Sequence, residues 1–143
     1  MKITSLQTQV LTELSAKTST ITRKIDMNLG AIHGIGFAEY MVLSHLMEAP
    51  NHLMRRIDLA TALDRSASGV TKMLSPMEKI GLVSRDTNPR DARVSLVKIT
   101  PAGETVFKQA LKTLNQQAEN LFKKLDSSNL DHLLHLLHEI DRA

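Results

Sequence analysis

The sequence predicts a mainly α fold that carries one small β-hairpin, and three observations predict it. Aromatic residues are scarce, with Phe37, Phe107, Phe122, Tyr40 and no Trp, so a core must be built from Leu, Ile, Val and seven Met. That mix suits packed helices better than long β-sandwiches. Apolar residues also recur at helical spacing through most of the chain. Against that pattern stands SRDTNPRDARVSLVKIT, residues 84–100, where a charged, turn-rich middle from Thr87 to Arg93 separates two segments of strand character. At 143 residues the chain fits a single domain, a size at which roughly 68–70% of the unfolded surface is buried on folding.

The elements follow in order. Residues 3–29 hold neither Pro nor Gly, and Ile3, Leu6, Val10, Leu14, Ile21 and Ile25 fall on one stripe, which predicts a long amphipathic helix. Gly30, Gly34 and Gly36 mark its end. A second helix, apolar over a wide face, is expected through Phe37, Tyr40, Met41, Leu43, Leu46 and Met47, stopped by Pro50. Ile57, Leu59, Ala60 and Leu63 then serve a short helix, Asp64 and Arg65 turn the chain, and Ser66 caps the next helix. That helix buries Val70, Met73, Leu74, Met77 and Ile80 and stops at Gly81. Pro76 lies inside it, where it removes the bond to the Lys72 carbonyl and bends the axis.

Leu82–Asp86 and Val94–Thr100 read as short strands joined through the turn chemistry of Asn88-Pro89. Thr100-Pro101 is an N-cap followed by Pro at the first helical position, opening a helix through Val106, Ala110, Leu111, Leu114, Ala118, Leu121 and Leu125. After Asp126-Ser127-Ser128 a last helix sets Leu130, Leu133, Leu134, Leu137 and Ile140 on one face. A helix, a turn of about three residues and a capped helix make a helix-turn-helix. With the hairpin attached it becomes a winged helix-turn-helix, flanked by long helices at both termini.

Charge placement points to a partner. The net charge is +3, yet residues 55–98 carry nine Lys or Arg against five Asp or Glu, while the other 99 residues carry nine against ten. A local positive excess of that kind suits a polyanion. In a winged module the second helix enters the major groove and the wing tip meets the backbone or the adjacent minor groove, whose negative potential favours guanidinium groups. The absence of Cys removes disulfides, thiolate metal sites and redox switches. No stretch approaches the roughly 20 apolar residues of a membrane span, so a cytoplasmic protein with no membrane partner is expected.

The segments LDRSASGVTKMLSPMEKIGLVSR, NPRDARVSLVKIT and TPAGE together resemble the multiple antibiotic resistance regulator (MarR) family of winged-helix repressors, most densely over residues 53–104. The first matches that family's recognition helix and its Gly-Leu-Val exit, the second its wing with an Asp-x-Arg element at Asp91 and Arg93, and the third the return helix. The resemblance implies one domain over 1–143, with dimerisation helices at about 1–35 and 101–143 and a DNA-binding module at about 36–100. It further implies a homodimer that reads a pseudo-palindromic site on double-stranded DNA and responds to a small aromatic or acidic effector. The terminal apolar stripes exceed what one small winged module can cover, which independently suits a partner subunit.

The expected DNA-binding residues are Arg65 in the turn, Ser66, Ala67, Ser68, Gly69, Thr71, Lys72 and Ser75 at the start or on the polar face of the second helix of the module, and Arg90 and Arg93 on the wing. Small side chains let the helix backbone approach DNA, hydroxyls bond phosphates or bases, and Lys72 supplies charge. Asp91 is expected to orient a neighbouring Arg or the turn backbone. The family often has a basic residue where Ala92 stands, so the resemblance implies either a weaker minor-groove contact here or one that falls to Arg90. His33, Tyr40 and His45 mark the region where the family binds effectors. His132, His135 and His138 repeat every three residues, which is poor metal-ligand spacing, so no cofactor or metal is expected. A His-based metal-responsive regulator and a nonspecific architectural or protein-interaction winged helix are the alternatives. The sequence holds no nucleophile elbow, phosphate-binding Gly loop or Glu-flanked metal pair, so enzymatic activity is not expected.

Overall fold

The structure, a computed structural model, describes residues 3–140. Its elements are α1 (Leu6–His33), α2 (Phe37–Glu48), a 3-10 turn at Pro50–His52, β1 (Leu53–Arg55), α3 (Arg56–Ala62), α4 (Ala67–Lys79), β2 (Val83–Asn88), β3 (Asp91–Ile99), α5 (Pro101–Leu121) and α6 (Ser127–Glu139). The extreme ends of the two expected dimerisation segments, residues 1–2 and 141–143, lie outside the described residues.

The core sits in the middle of the chain and is organised around α2. Tyr40, Val42, Leu43 and Leu46 of α2 are buried against Leu59 and Ala60 of α3, Val70, Leu74 and Met77 of α4, and Val83, Val97 and Ile99 of the strands. Because α2 is apolar on nearly every side, neighbours on every side must cover it, and α1, α3, β3 and α5 all pack against it. Leu29 of α1 and Ala110 of α5 close the cluster.

Local signals set the helix ends. Ser5, Ser66, Thr100 and Asp126 each accept a bond from a backbone N–H of the first helical turn, the satisfaction that such termini require. Gly34 ends α1 in the left-handed conformation (φ 72°) and Gly81 turns the chain out of α4 (φ 82°). Phe37 N–H donates to the Asp26 carboxylate (2.9 Å), so α1 caps the start of α2 in place of a local side chain.

Several expectations are corrected. Gly30 lies within α1 and the helix stops only at Gly34, because one Gly costs an otherwise apolar-striped helix about 1 kcal/mol. Ile3 precedes the helix and is exposed. Ile57 and Ile80, placed on apolar stripes by periodicity, are 65% and 63% exposed, since each sits at the terminus of a short helix where the stripe has turned away from α2. The helix opened by Pro101 ends at Leu121, capped at Phe122, short of Leu125. The wing strands run further than their alternation suggests, leaving only Pro89-Arg90 as the turn. A third strand, β1, pairs antiparallel with β3 through Leu53↔Lys98, Met54↔Val97 and Arg55↔Leu96, giving the sheet order β1-β3-β2. Three residues are too few to show a period. Pro76 lies inside α4, as its place in the sequence indicates, and is exposed.

Candidate nucleic-acid interface

The α3–α4 turn is tight because Asp64 adopts a left-handed conformation (φ 53°) and Arg65 N–H reaches back to the Ala60 carbonyl (3.0 Å). Ser66 Oγ then accepts the Gly69 N–H (3.1 Å) and lies 3.3 Å from Ser68 Oγ. With Val70, Leu74 and Met77 locked in the core, helical geometry sends Ala67, Ser68, Thr71, Lys72 and Ser75 outward together. All five are exposed, as are Arg65 and Ser66, and Gly69 is half-buried. The eight residues expected here therefore form one continuous surface of small, hydroxylated and basic groups that runs from the turn and N-cap along the outward face of α4.

The wing is built by local carboxylate and amide contacts. Asn88 Oδ1 accepts the Arg90 N–H (2.9 Å), which shapes the tip and leaves the Arg90 side chain in solvent. Thr87 pairs with Ser95 but Asn88 pairs with Asp91, so Ala92, Arg93 and Val94 bulge from the ladder. Asp91 Oδ1 accepts both the Arg93 N–H (3.0 Å) and its Nε–H (3.1 Å), and Oδ2 accepts Nη2 (3.4 Å). The guanidinium of Arg93, and after it the Arg93 backbone N–H, hold the Asp91 carboxyl below the usual carboxylate range. Arg93 itself is 91% exposed on its side chain. Arg85 turns the other way, with Nε donating to Glu78 of α4 (3.2 Å).

Arg56, the first residue of α3, was not foreseen. Its Nε donates to Ser95 Oγ of β3 (2.9 Å), its Nη1 to Thr71 Oγ1 (3.2 Å) and its Nη2 to Glu78 Oε1 (3.1 Å). The guanidinium lies between α4 and the wing, its side chain only 17% exposed. No periodicity could announce it, because its partners are 15, 22 and 39 residues away.

The three residues expected to mark an effector region are separated by the fold. His33 Nε2 lies 2.7 Å from Thr113 Oγ1 of α5. Tyr40 is buried with its ring stacked between Phe37 and Phe107 at centroid distances of 6.1 and 5.4 Å, and burial, followed by the Glu48 charge, raises its phenol pKa above the ordinary value. His45 lines a shallow groove with Glu48, Leu53, Arg55 and Leu96, a groove that neither His33 nor Tyr40 reaches. A different cleft, of about 770 Å³, opens between α1, α2 and the end of α3, where Arg23, Asp26, Phe37, Met41, Leu63 and Arg65 line it. His132, His135 and His138 are exposed along α6, and His135 Nε2 is 3.1 Å from Glu139. Among the described residues no three His, Cys, Asp or Glu side chains converge on a metal position.

Residues 37–95 match the model of the MarR family. The uncharacterized HTH-type transcriptional regulator YhbI of Bacillus subtilis (strain 168) is 32% identical over 75 residues, 52% of this chain and 49% of that protein. The transcriptional repressor MprA of Escherichia coli (strain K12) is 25% identical over 100 residues, 70% of this chain and 57% of that one. The matched region thus spans about half the length of these relatives. Among solved structures, mutant MarR from E. coli complexed with operator DNA is 25% identical with a TM-score of 0.75, covering 95% of this chain and 98% of that chain.

Proposed function

We propose, from the match of residues 37–95 to the MarR family model and the likeness to MarR solved with operator DNA, that this is a MarR-family protein and a homodimeric, sequence-specific DNA-binding regulator, a repressor released or recruited by a small effector. The observation that carries the reading is the single exposed surface formed by Arg65, Ser66, Ala67, Ser68, Gly69, Thr71, Lys72 and Ser75, with Arg90 and Arg93 on the wing of the same module. In this reading α4 enters the major groove and its hydroxyls and Lys72 meet base edges and phosphates. The wing tip follows the neighbouring backbone or minor groove, and Asp91 orients Arg93. The naming of MprA as a repressor supports the direction of control.

Dimerisation through the segments 1–35 and 101–143 is supported by apolar side chains on α1 and α6 that the chain leaves uncovered, Leu6, Val10, Leu11, Leu134 and Leu137 among them. Two modules so joined read half-sites roughly 34–36 Å apart. For the effector, the cleft beside Arg65 fits better than the dispersed His33, Tyr40 and His45. Arg23 and Arg65 suit a carboxylate and Phe37 an aromatic ring, and a ligand there touches the turn that sets α4. It would act through different affinity for two orientations of the modules.

A binding titration at fixed salt, comparing the protein's own upstream DNA with scrambled DNA of equal length, tests the reading. The expected result is two subunits per site and a preference of roughly 10³-fold or more. Equal weak binding to both DNAs, repeated across a genome-wide site selection, would replace the regulator by an architectural winged helix.

A further inference from the structure

We propose that Arg56 is the positioning residue of the interface: it ties the recognition helix to the wing and fixes the Thr71 hydroxyl as a hydrogen-bond donor towards DNA. The inference rests on the reading of α4 and the wing as the DNA-binding surface and goes beyond it by naming what holds the two in register. Three of the five guanidinium N–H groups are spent on three acceptors, Ser95 Oγ of β3 and Thr71 Oγ1 and Glu78 Oε1 of α4. Because the guanidinium is planar, its partners are held in a fixed mutual geometry. A Lys in its place has a point charge and a flexible stem and cannot impose that geometry.

Glu78 completes the device from the other side. Its Oε1 accepts from Arg56 and also from Arg85 of β2 (3.2 Å). Both wing strands are thus fastened to α4, β3 through Arg56 and β2 through Arg85. The Glu78 and Arg56 side chains are 23% and 17% exposed, so this pair is shielded from water to a degree that the exposed Arg93–Asp91 pair is not, and it holds its geometry better.

The consequence at Thr71 is chemical. A hydroxyl has one hydrogen to donate and two lone pairs to accept with. With an N–H of Arg56 held against Thr71 Oγ1, one of those lone pairs is taken on the protein side and the O–H must turn away from the guanidinium, while the residue as a whole remains exposed. Its hydrogen is therefore the group offered to DNA, and it selects acceptors: phosphate oxygens, purine N7, guanine O6 or thymine O4. Arg56 itself, spent on protein acceptors, need not neutralise a phosphate.

The test uses full-length Arg56→Met, Arg56→Lys, Thr71→Val and the double variant Arg56→Met/Thr71→Val, each checked by thermal melting and titrated against operator and random DNA over a salt series. Arg85 still pairs with Glu78 in the position-56 variants, so no buried charge is orphaned and cooperative melting is expected. Arg56→Met should lower the operator-to-random ratio by on the order of tenfold, leaving the salt slope unchanged. Arg56→Lys should fall with it despite keeping the charge, and the double variant should lose no more than the worse single. A ratio that Arg56→Lys fully retains, a salt slope that drops by about one in Arg56→Met, or single losses that multiply in the double variant would each overturn the inference while leaving DNA recognition standing. Wild-type protein that does not distinguish operator from random DNA would overturn both.

Discussion

At the residue scale the interface is a matter of where guanidinium groups are allowed to point. Of the three Arg residues along the hairpin, Arg85 is turned in to Glu78, Arg90 is free at the tip, and Arg93 is clipped to Asp91. That clip is exposed and adds little to folding, so its value lies in orientation. The Asp91 carboxyl is depressed, chiefly by the Arg93 guanidinium and then by the Arg93 N–H. A depressed carboxyl keeps its ionised contacts above the ordinary Asp range and loses them only as pH falls through the depressed value. The clip is therefore complete throughout about pH 5–8, well above the ordinary Asp value. Arg93→Ala should weaken operator binding and lower the salt slope by about one, with the same pH dependence as wild type over that window. Titrations at several salt concentrations at pH 5.5 and 7.5 measure both, and an unchanged slope would end the phosphate-contact role of Arg93.

At the element scale a close approach joins the start of α5 to the segment that leaves α4. A Cβ on Gly103, in the first turn of α5, would run into the Leu82 carbonyl oxygen and come within 2.8 Å of Ile99 Cγ1. Backbone is the obstacle, and Thr100 holds it there, its hydroxyl donating to the Gly81 carbonyl (2.6 Å) and its backbone N–H to the Leu82 carbonyl (3.1 Å). Gly103→Ala should therefore cost about 1–3 kcal/mol as an overpacked contact, read as a lower Tm, whereas Gly30→Ala, with nothing near its Cβ, should be neutral or stabilising. Equal melting of wild type and Gly103→Ala would refute the packing argument. The same division explains what the sequence disclosed. Ser66, Thr100-Pro101 and the Val70–Met77 stripe act within one or two turns, so the helix-turn-helix, the wing and the outward face of α4 were legible. β1, the Arg56 contacts and the Gly103 approach join segments distant in sequence and left no local trace. His33, Tyr40 and His45 were grouped by the family resemblance, and the fold sends them to three different environments.

At the scale of the whole molecule, the question is what covers the ends. α1 is a 28-residue helix, about 42 Å long at 1.5 Å per residue, yet its one buried residue is Leu29, near the C-terminal end. Leu6 and Val10 at the other end are 72% and 55% exposed. α6 has no buried residue at all and leaves Leu133, Leu134, Leu136 and Leu137 in solvent. Two helices with apolar stripes and so little core are stable in water only against something else, and a second copy offers the same stripes by symmetry. Leu134→Glu/Leu137→Glu should then give a monomer that still melts cooperatively, because neither side chain belongs to the core around α2. Joining two half-site contacts gains on the order of 10²-fold or more in avidity, so the variant should lose at least that in operator affinity while binding random DNA almost as before. Sedimentation equilibrium of both proteins, paired with the operator titration, decides it. A wild type that sediments as a monomer at micromolar concentration would overturn the homodimer, and a variant that stays dimeric would move the dimer interface away from α6.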